Sequence, residues 1–387
     1  MRDAVIVGAA RSPIGKKNGK LSGIHPTDLL GMVLQGLIDR AGIDPLEIDD
    51  VIGGCVTQTG EQGVNVTRNA WIAAGLPWEV PATSVDRQCG SAQQAIHFGA
   101  QGVMAGQYDL VIGCGVEAMS RVGLGKNAIE PGFAFSPAWM DAVDQQLFTQ
   151  FQAAQEIARR WDITREDMDT LAVESHRRAT QATDEGRFNR EIVPIKVTQP
   201  DGSVEEMTTD ECIRRETTLE KLASLSPVRE DCPDITAGNS SPYSDGAAAV
   251  LIASPEKAEQ LGLTPRARFH GFSVAACEPI VMLQGPIPAT QKILKRTRMS
   301  LDDIDIFECN EAMGSIVPMW EREFGIDHAK VNVNGSGISL GHPVGATGAR
   351  LMVTLLHELE RTGGRYGFQT MCEGGGQGNA TIIERLN

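Results

Sequence analysis

The sequence predicts an α/β protein in which one plan is used twice, with a long insertion in the first copy. Three observations predict it. Short apolar runs alternate with helical patterns along all 387 residues. Runs of the first half return in the second: "DDVIGGC" (49–55) as "DDIDIFEC" (302–309), "YDLVIGC" (108–114) as "YGFQTMC" (366–372), and "GAAAVLIAS" (246–254) as "GNATIIERL" (378–386). The last two runs lie a few residues apart in the second copy but about 130 apart in the first, too far for a compact connection. The expected division is therefore 1–118 with 245–265 for the first half, 119–244 for the insertion, and 266–387 for the second half.

The elements follow in order. "AVIVG" (4–8) reads as a buried strand, and "PTDLLGMVLQGLIDRAG" (26–42) sets Leu29, Leu30, Val33, Leu34, Leu37 and Ile38 on one helical face. A strand at 49–55, a helix at 64–75, a strand at 82–86, a small-residue helix to about Gly106 and a strand at 108–115 complete the first run. This order predicts a largely parallel sheet with helices on both faces. In the insertion, 145–161 and 164–185 read as helices, the second opening with Thr164 and Asp167 in capping-box spacing. "QPDGS" (199–203) reads as a turn, and the pairs Arg177–Arg178 and Arg214–Arg215 as solvated faces. The second half adds a strand at "KVNVNG" (330–335) and a helix at 345–361. Ser91, Ala92, Ala95, Gly99 and Ala100 line one helix, and Gly345, Ala346, Gly348 and Ala349 open another. Helices this small on several faces have close neighbours on several sides. The two should pack together between the sheets, with their N-termini sharing one region.

Composition narrows the function. A net charge of −15 argues against nucleic acid or an anionic membrane as the main partner. No run approaches the ~18 apolar residues of a membrane span, and "MRDAVIVGAARSP" has too short an apolar run for a signal peptide. Eight cysteines, none in a C-x-x-C pair, speak against zinc and for reduced, cytoplasmic thiols.

Four stretches carry chemistry. "DRQCGSAQQA" (86–95) puts Cys89 at the mouth of a helix. There the dipole favours the thiolate and is expected to lower the thiol pKa from about 8.5; a packed small residue is the alternative. "NGSGISLGHPVGATG" (334–348) holds His342, an activator for a thiol or a structural hydrogen-bonding group. "CEGGGQG" (372–378) sets Cys372 before glycines whose N–H groups suit an oxyanion hole. "CNEA" (309–312) ends a strand with Asn310, able to hold a water or carbonyl. No G-x-G-x-x-G register and no G-x-x-x-x-G-K-[ST] loop is present.

"DRQCGS", "CNEA", "GHPVGATG" and "CEGGGQG" stand in the order and approximate spacing of the thiolase family, which the chain resembles from "VIVGAARSPIG" to "ATIIERL". "TAGNSSPYSDGAAA" (236–249) is similar to that family's coenzyme A loop. The resemblance implies a five-layer αβαβα sandwich of two similar halves with an inserted loop domain. It implies that Cys89 is the acylated nucleophile, His342 its activator and Cys372 the second acid/base. Asn310 would hold a water that, with His342, forms one oxyanion hole. The N–H groups of Cys89 and Gly374 would form the other, and Ser241 would contact pantetheine.

The implied reaction is thiolysis of a 3-ketoacyl-CoA to acetyl-CoA or propionyl-CoA and a shortened acyl-CoA, in fatty-acid or steroid β-oxidation. Biosynthetic condensation of two acetyl-CoA is the alternative. Acyl-CoA and coenzyme A are the partners, coenzyme A as co-substrate. No permanently bound cofactor or metal is implied, and a homodimer or homotetramer is. "RSPIGKKNGKLSG" and "GGCVTQTGEQGVNVTR" look most like actinobacterial degradative members, steroid-degrading ones included. A ketoacyl synthase lacks the second cysteine, and a mere acyl-CoA binder has no need of both thiols. Four residues depart from the usual pattern: Met313 for phenylalanine, Ser336 for glycine, Ser339 for alanine, and Glu373 for a small or apolar residue.

Overall fold

The two halves meet along one hydrogen-bonded sheet. The computed structural model describes residues 2–129, 132–198 and 201–386. The first half runs β1 (Val5–Arg11), the two-residue β2 (Gly15–Lys16), α1 (Pro26–Ala41), β3 (Asp50–Gly54), α2 (Val66–Ala73), β4 (Ala82–Val85), α3 (Ser91–Ala105) and β5 (Leu110–Ala118). Then come α4 (Lys126–Ile129), α5 (Pro137–Ala142), α6 (Gln150–Arg160), α7 (Arg165–Asp184), the hairpin β6 (Ile195–Thr198) and β7 (Val204–Met207), and α8 (Leu219–Ala223). The chain returns through β8 (Ser244–Ala253) and α9 (Pro255–Gln260). The second half is β9 (Ala267–Ala276), α10 (Pro286–Thr297), β10 (Ile306–Cys309), α11 (Ile316–Phe324), α12 (Gly337–Leu340), α13 (Thr347–Thr362), β11 (Tyr366–Glu373) and β12 (Gln377–Arg385).

The strand order is β10-β11-β12-β9-β1-β8-β5-β3-β4, with β2 against β8. The halves join where Val5 and Ile6 of β1 pair with Arg268 and Ala267 of β9. Only β3–β4, β3–β5 and β10–β11 are parallel. The sheet is therefore mixed rather than largely parallel. The cause lies in the returning strands. β11 and β12 are joined by a tight turn, which forces an antiparallel pair. β8 returns from the insertion and runs antiparallel to both β1 and β5.

A second expectation fails at 330–335. Only Val331 bridges to the sheet, opposite Phe307. Asn332 then takes φ 49°, which turns the chain out of line. Its side chain replaces the missing ladder: Oδ1 accepts from the Cys309 N–H at 2.9 Å and Nδ2 donates to the Cys309 carbonyl at 2.8 Å.

Apolar packing defines five layers. α1 and α2 cover one face of β1, β3, β5 and β8 through Leu30, Leu34, Leu37 and Trp71. α3 and α13 lie between the first-half and second-half wings of the sheet, with Ile96, Val103, Met352 and Leu356 against Ile252 on one side and Phe269 and Ile383 on the other. α10 and α11 cover the far face through Ile293 and Trp320 against Phe307 and Phe368. The two central helices touch backbone to backbone, for a Cβ on Gly348 would fall 2.4 Å from the Gln93 nitrogen. Their small residues are thus explained.

In the insertion, Thr149–Gln152 and Thr164–Asp167 form capping boxes, so the helix expected from residue 145 starts at Gln150. Gln199 and Pro200 lie outside the described residues, and Asp201–Ser203 lead into β7. Arg177 and Arg178 pair with Glu174, and Arg215 with Asp184. Among the described residues no helix is long and apolar enough to cross a membrane.

Candidate active site

Four turns at the ends of the central elements build the site. Strand β4 leads into the turn 86–90. Gln88 there takes φ 47°, and the Gly90 and Ser91 N–H groups close back on the Arg87 and Gln88 carbonyls. Cys89 is thus held just ahead of Gly90, the N-cap of α3. The thiol is 3 % exposed and packs with Val56, Met119, Val344, Leu351 and Met371.

The turn after β11 reaches the turn 86–90, for a Cβ on Gly374 would fall 2.9 Å from Gln88 Oε1. The Cys89 N–H and that of Gly374 favour the thiolate. Those two donors pull the thiol pKa down. Burial, then the Glu373 and Glu117 carboxylates, outweigh them and push it up to about 12. The sequence-based expectation of a lowered pKa is overturned: the helix terminus is there, but so is full desolvation. Cys372, fully buried on β11, is also pushed well above the usual thiol value, first by burial and next by the neighbouring Cys89. The two thiols therefore share one site and both rest as neutral groups.

His342 and Asn310 form the facing wall. Asn310 Nδ2 donates to His342 Nε2 at 3.3 Å. The other ring nitrogen, Nδ1, meets Thr347 Oγ1 at 2.7 Å, and that hydroxyl donates to the Pro343 carbonyl at 2.9 Å. With its one proton committed, Thr347 accepts from Nδ1–H. The lone pair is then on Nε2, where it accepts from Asn310 Nδ2. Burial first, and then the Arg350 charge, lower the imidazole pKa to about 3. His342 is a neutral base at neutral pH.

Ser241 stands apart from the thiols but shares a cavity with His342. The cavity measures about 170 Å³ and is lined by Met119, Leu124, Phe151, Tyr243, Met313 and Val344 besides these two. Met119 and Val344, on the wall of this cavity, also pack on Cys89. Of the departing residues, Met313 is part of its wall. Ser336 and Ser339 line no wall: Ser336 accepts from Arg350 at 3.3 Å, and Ser339 meets Ser175 of α7 at 2.8 Å.

Several supporting residues have roles that no motif reading assigned. Glu117 accepts from the N–H groups of Val56, Thr57 and Gly345 and from Gln62, and so ties the loop after β3 to the start of α13. Glu311 accepts from Ser175, Asn332 and the Ile338 N–H, fixing the loop that precedes His342. Thr347 alone was legible, five residues past His342 at the start of a helix.

The family description "Thiolase, N-terminal domain" matches residues 4–256, and "Thiolase, C-terminal domain" matches 263–385. The chain belongs to the thiolase family. This thiolase is 46 % identical over 394 residues to a steroid 3-ketoacyl-CoA thiolase of Mycobacterium tuberculosis, covering 100 % of this chain and 95 % of that one. It is 41 % identical over 393 residues to a 3-ketoacyl-CoA thiolase of Bacillus subtilis, covering 99 % and 100 %. Among solved structures it superposes on the Bacillus anthracis acetyl-CoA acetyltransferase with a TM-score of 0.92 at 39 % identity, covering 100 % and 99 %. Human mitochondrial 3-ketoacyl-CoA thiolase gives 0.91 at 35 % identity, with the same coverage. The thiolase is accordingly an acyltransferase of the αβαβα fold.

Proposed function

We propose that this thiolase cleaves 3-ketoacyl-CoA with coenzyme A through an acyl intermediate on Cys89, in fatty-acid or steroid degradation. The observation that carries the reading is that two buried, neutral thiols, Cys89 and Cys372, lie close enough for each thiolate to be opposed by its surroundings, Cys372 by Cys89 itself. The steroid and 3-ketoacyl-CoA relatives support the degradative direction.

The steps follow from the groups present. His342 Nε2 takes the Cys89 proton as the sulfur attacks C3 of the substrate. A buried imidazole with pKa about 3 holds that proton poorly, so transfer accompanies attack rather than preceding it. Once protonated, Nε2 is a donor. With a water held by Asn310, whose Oδ1 has no protein partner, it faces the thioester oxygen of the departing unit. The oxygen on C3 sits at the Cys89 and Gly374 N–H groups. The C2–C3 bond breaks, and the acetyl-CoA or propionyl-CoA enolate takes its proton from Cys372. The Cys372 thiolate then takes the proton of incoming coenzyme A. The coenzyme A sulfur attacks the acyl carbon, and Cys89 leaves and regains its proton from His342. Ser241 contacts the pantetheine arm in the cavity.

Residues 119–244 act in this reading as the coenzyme A and assembly domain, with 1–118 and 245–265 as the first half and 266–387 as the second. Assembly is a homodimer, alone or doubled into a homotetramer. The partner is a second copy, because β4 leaves one sheet edge open beside exposed Val64 and Trp78. A cytoplasmic location accords with eight free cysteines.

The test is mass spectrometry of the Cys89 peptide after incubation with 3-ketoacyl-CoA. An acyl adduct that coenzyme A discharges is expected, and its absence overturns the reading. Thiolysis rates across acetoacetyl-CoA, long-chain and steroid-derived substrates then decide the role. A steep preference for acetoacetyl-CoA would favour condensation of two acetyl-CoA, to which the similarity with an acetyl-CoA acetyltransferase also points.

A further inference from the structure

Glu373 is the one departing residue whose side chain has no partner at all. It follows Cys372 at the end of β11, and its side chain turns to the opposite face, beneath the nucleophile turn. It is fully buried, and neither carboxyl oxygen has a hydrogen-bond partner. The group is wedged against Gly90: a Cβ there would fall 1.9 Å from Oε1 and 2.7 Å from Asn379 Nδ2. Glycine at the N-cap of α3 is thus a matter of space, since its φ of −82° suits any residue. Asn379 Nδ2 meanwhile donates to the Gly90 carbonyl at 3.2 Å, while its Oδ1 is also unpartnered. Arg87 reaches Gln377 through Nη1, and its buried Nε has no partner.

A lone carboxyl in such a place lowers stability, and an apolar side chain of the same size would pack without that cost. Nothing in the fold needs it: it caps no helix and bridges no strands. Its consequence falls on the thiol next door. After burial, Glu373 is the largest influence raising the Cys89 pKa, whereas for Cys372 it ranks behind the other two cysteines.

We propose that Glu373 is a positioning residue for the reaction, acting through Cys89: from under Gly90 its carboxyl sets, by its charge, how readily the nucleophile ionises. The proposal rests on Cys89 being the nucleophile. The groups facing the carboxyl are Asp86 and Arg87 of the turn, Cys277 after β9, and Gln377 and Asn379 of β12; Glu117 faces Cys89 from the other side. Burial, against the pull of Arg87, raises the carboxyl pKa to about 8. Below that pH Glu373 is neutral and the thiol ionises against burial and Glu117 only. Above it, a carboxylate is added beside the sulfur and thiolate formation is opposed.

Alkylation of the resting enzyme by iodoacetamide, with the labelled peptide identified by mass spectrometry, reads this without turnover. Rates from about pH 6 to about pH 10 should superpose for wild type and Glu373→Gln up to about pH 7. They should part above about pH 8, the variant reacting up to about tenfold faster, as expected of a thiol one pH unit easier to ionise. Glu373→Met should do the same. The wild-type profile itself should flatten near the carboxyl's ionisation, so a variant that fails to fold does not protect the proposal. A wild-type line of constant slope, or superposed profiles with Cys89 labelled, overturns it. Labelling confined to another cysteine would instead overturn Cys89 as the nucleophile.

Discussion

Strand β4 of the first half and the segment 330–335 of the second occupy corresponding places in the repeated plan, and they have parted in opposite ways. β4 pairs with β3 on one side, while its other edge has no strand partner among the described residues. Thr83 on it is exposed, and beside it Val64 and Trp78 stand 91 % and 75 % exposed. The second-half segment keeps one bridge, at Val331, and is closed by Asn332. Helix α7 of the insertion lies over it: Arg178 donates to the His328 and Val331 carbonyls, and Ser175 binds Glu311 and Ser339. The difference teaches what the insertion does beyond carrying Ser241. It covers the edge that duplication would have left open, and it braces the loop leading to His342. The first half keeps an open edge and, in the proposed reaction, supplies the nucleophile; the second gives up a strand and supplies the base.

That division of labour is tested most severely at its centre. Cys89→Ala should lower kcat by at least about 10⁴-fold with the fold intact, as removal of a nucleophile does elsewhere; a smaller loss in single-turnover kinetics would break the pairing of the halves. Asn310→Ala should cost about 10²–10³ in kcat with little change in KM, the mark of an oxyanion donor. An equal loss confined to KM would make Asn310 a ground-state contact.

Asn332→Ala tests the covered edge. It strips the Cys309 N–H and carbonyl of their partners, and should cost about 2–3 kcal/mol in urea unfolding. An unchanged midpoint would show that α7 alone holds the segment. The open edge responds most gently. Thr83→Lys should leave the stability of the single chain within about 0.5 kcal/mol yet weaken self-association about tenfold or more, as read by analytical ultracentrifugation. Association unaffected by this change would move the contact elsewhere.

Stability adds a pH signature. Glu373 and Glu308 are both raised to about 8, each first by burial. A folded-state pKa above the ordinary carboxyl value stabilises the fold at low pH. That contribution is lost as pH rises through the folded value. Glu373→Gln should therefore gain more in melting temperature at about pH 9 than at about pH 5. An equal gain at both would show a carboxyl that does not titrate with folding.

Much of this was legible in the residues. The duplicated strands and the central small-residue helices are local patterns, and they were found where their pattern placed them. What was not legible depends on contacts across the chain. The alternation in "KVNVNG" is that of a strand, and only the fit of Asn332 to Cys309 shows why it is not one. A helix terminus at Cys89 is visible in sequence, but the burial that overrides it is a property of five packed layers. Glu117 sits in no motif, and for Glu311, inside "CNEA", the role does not show in the sequence because its partners come from distant segments.

The covered second edge has a consequence for growth. A sheet with both rims bare can add copies at either end and lengthen into a fibril. Here one rim is sealed by the chain's own helix. Two molecules joined rim to rim about a twofold axis therefore exhaust the supply of bare strand, and the assembly terminates itself.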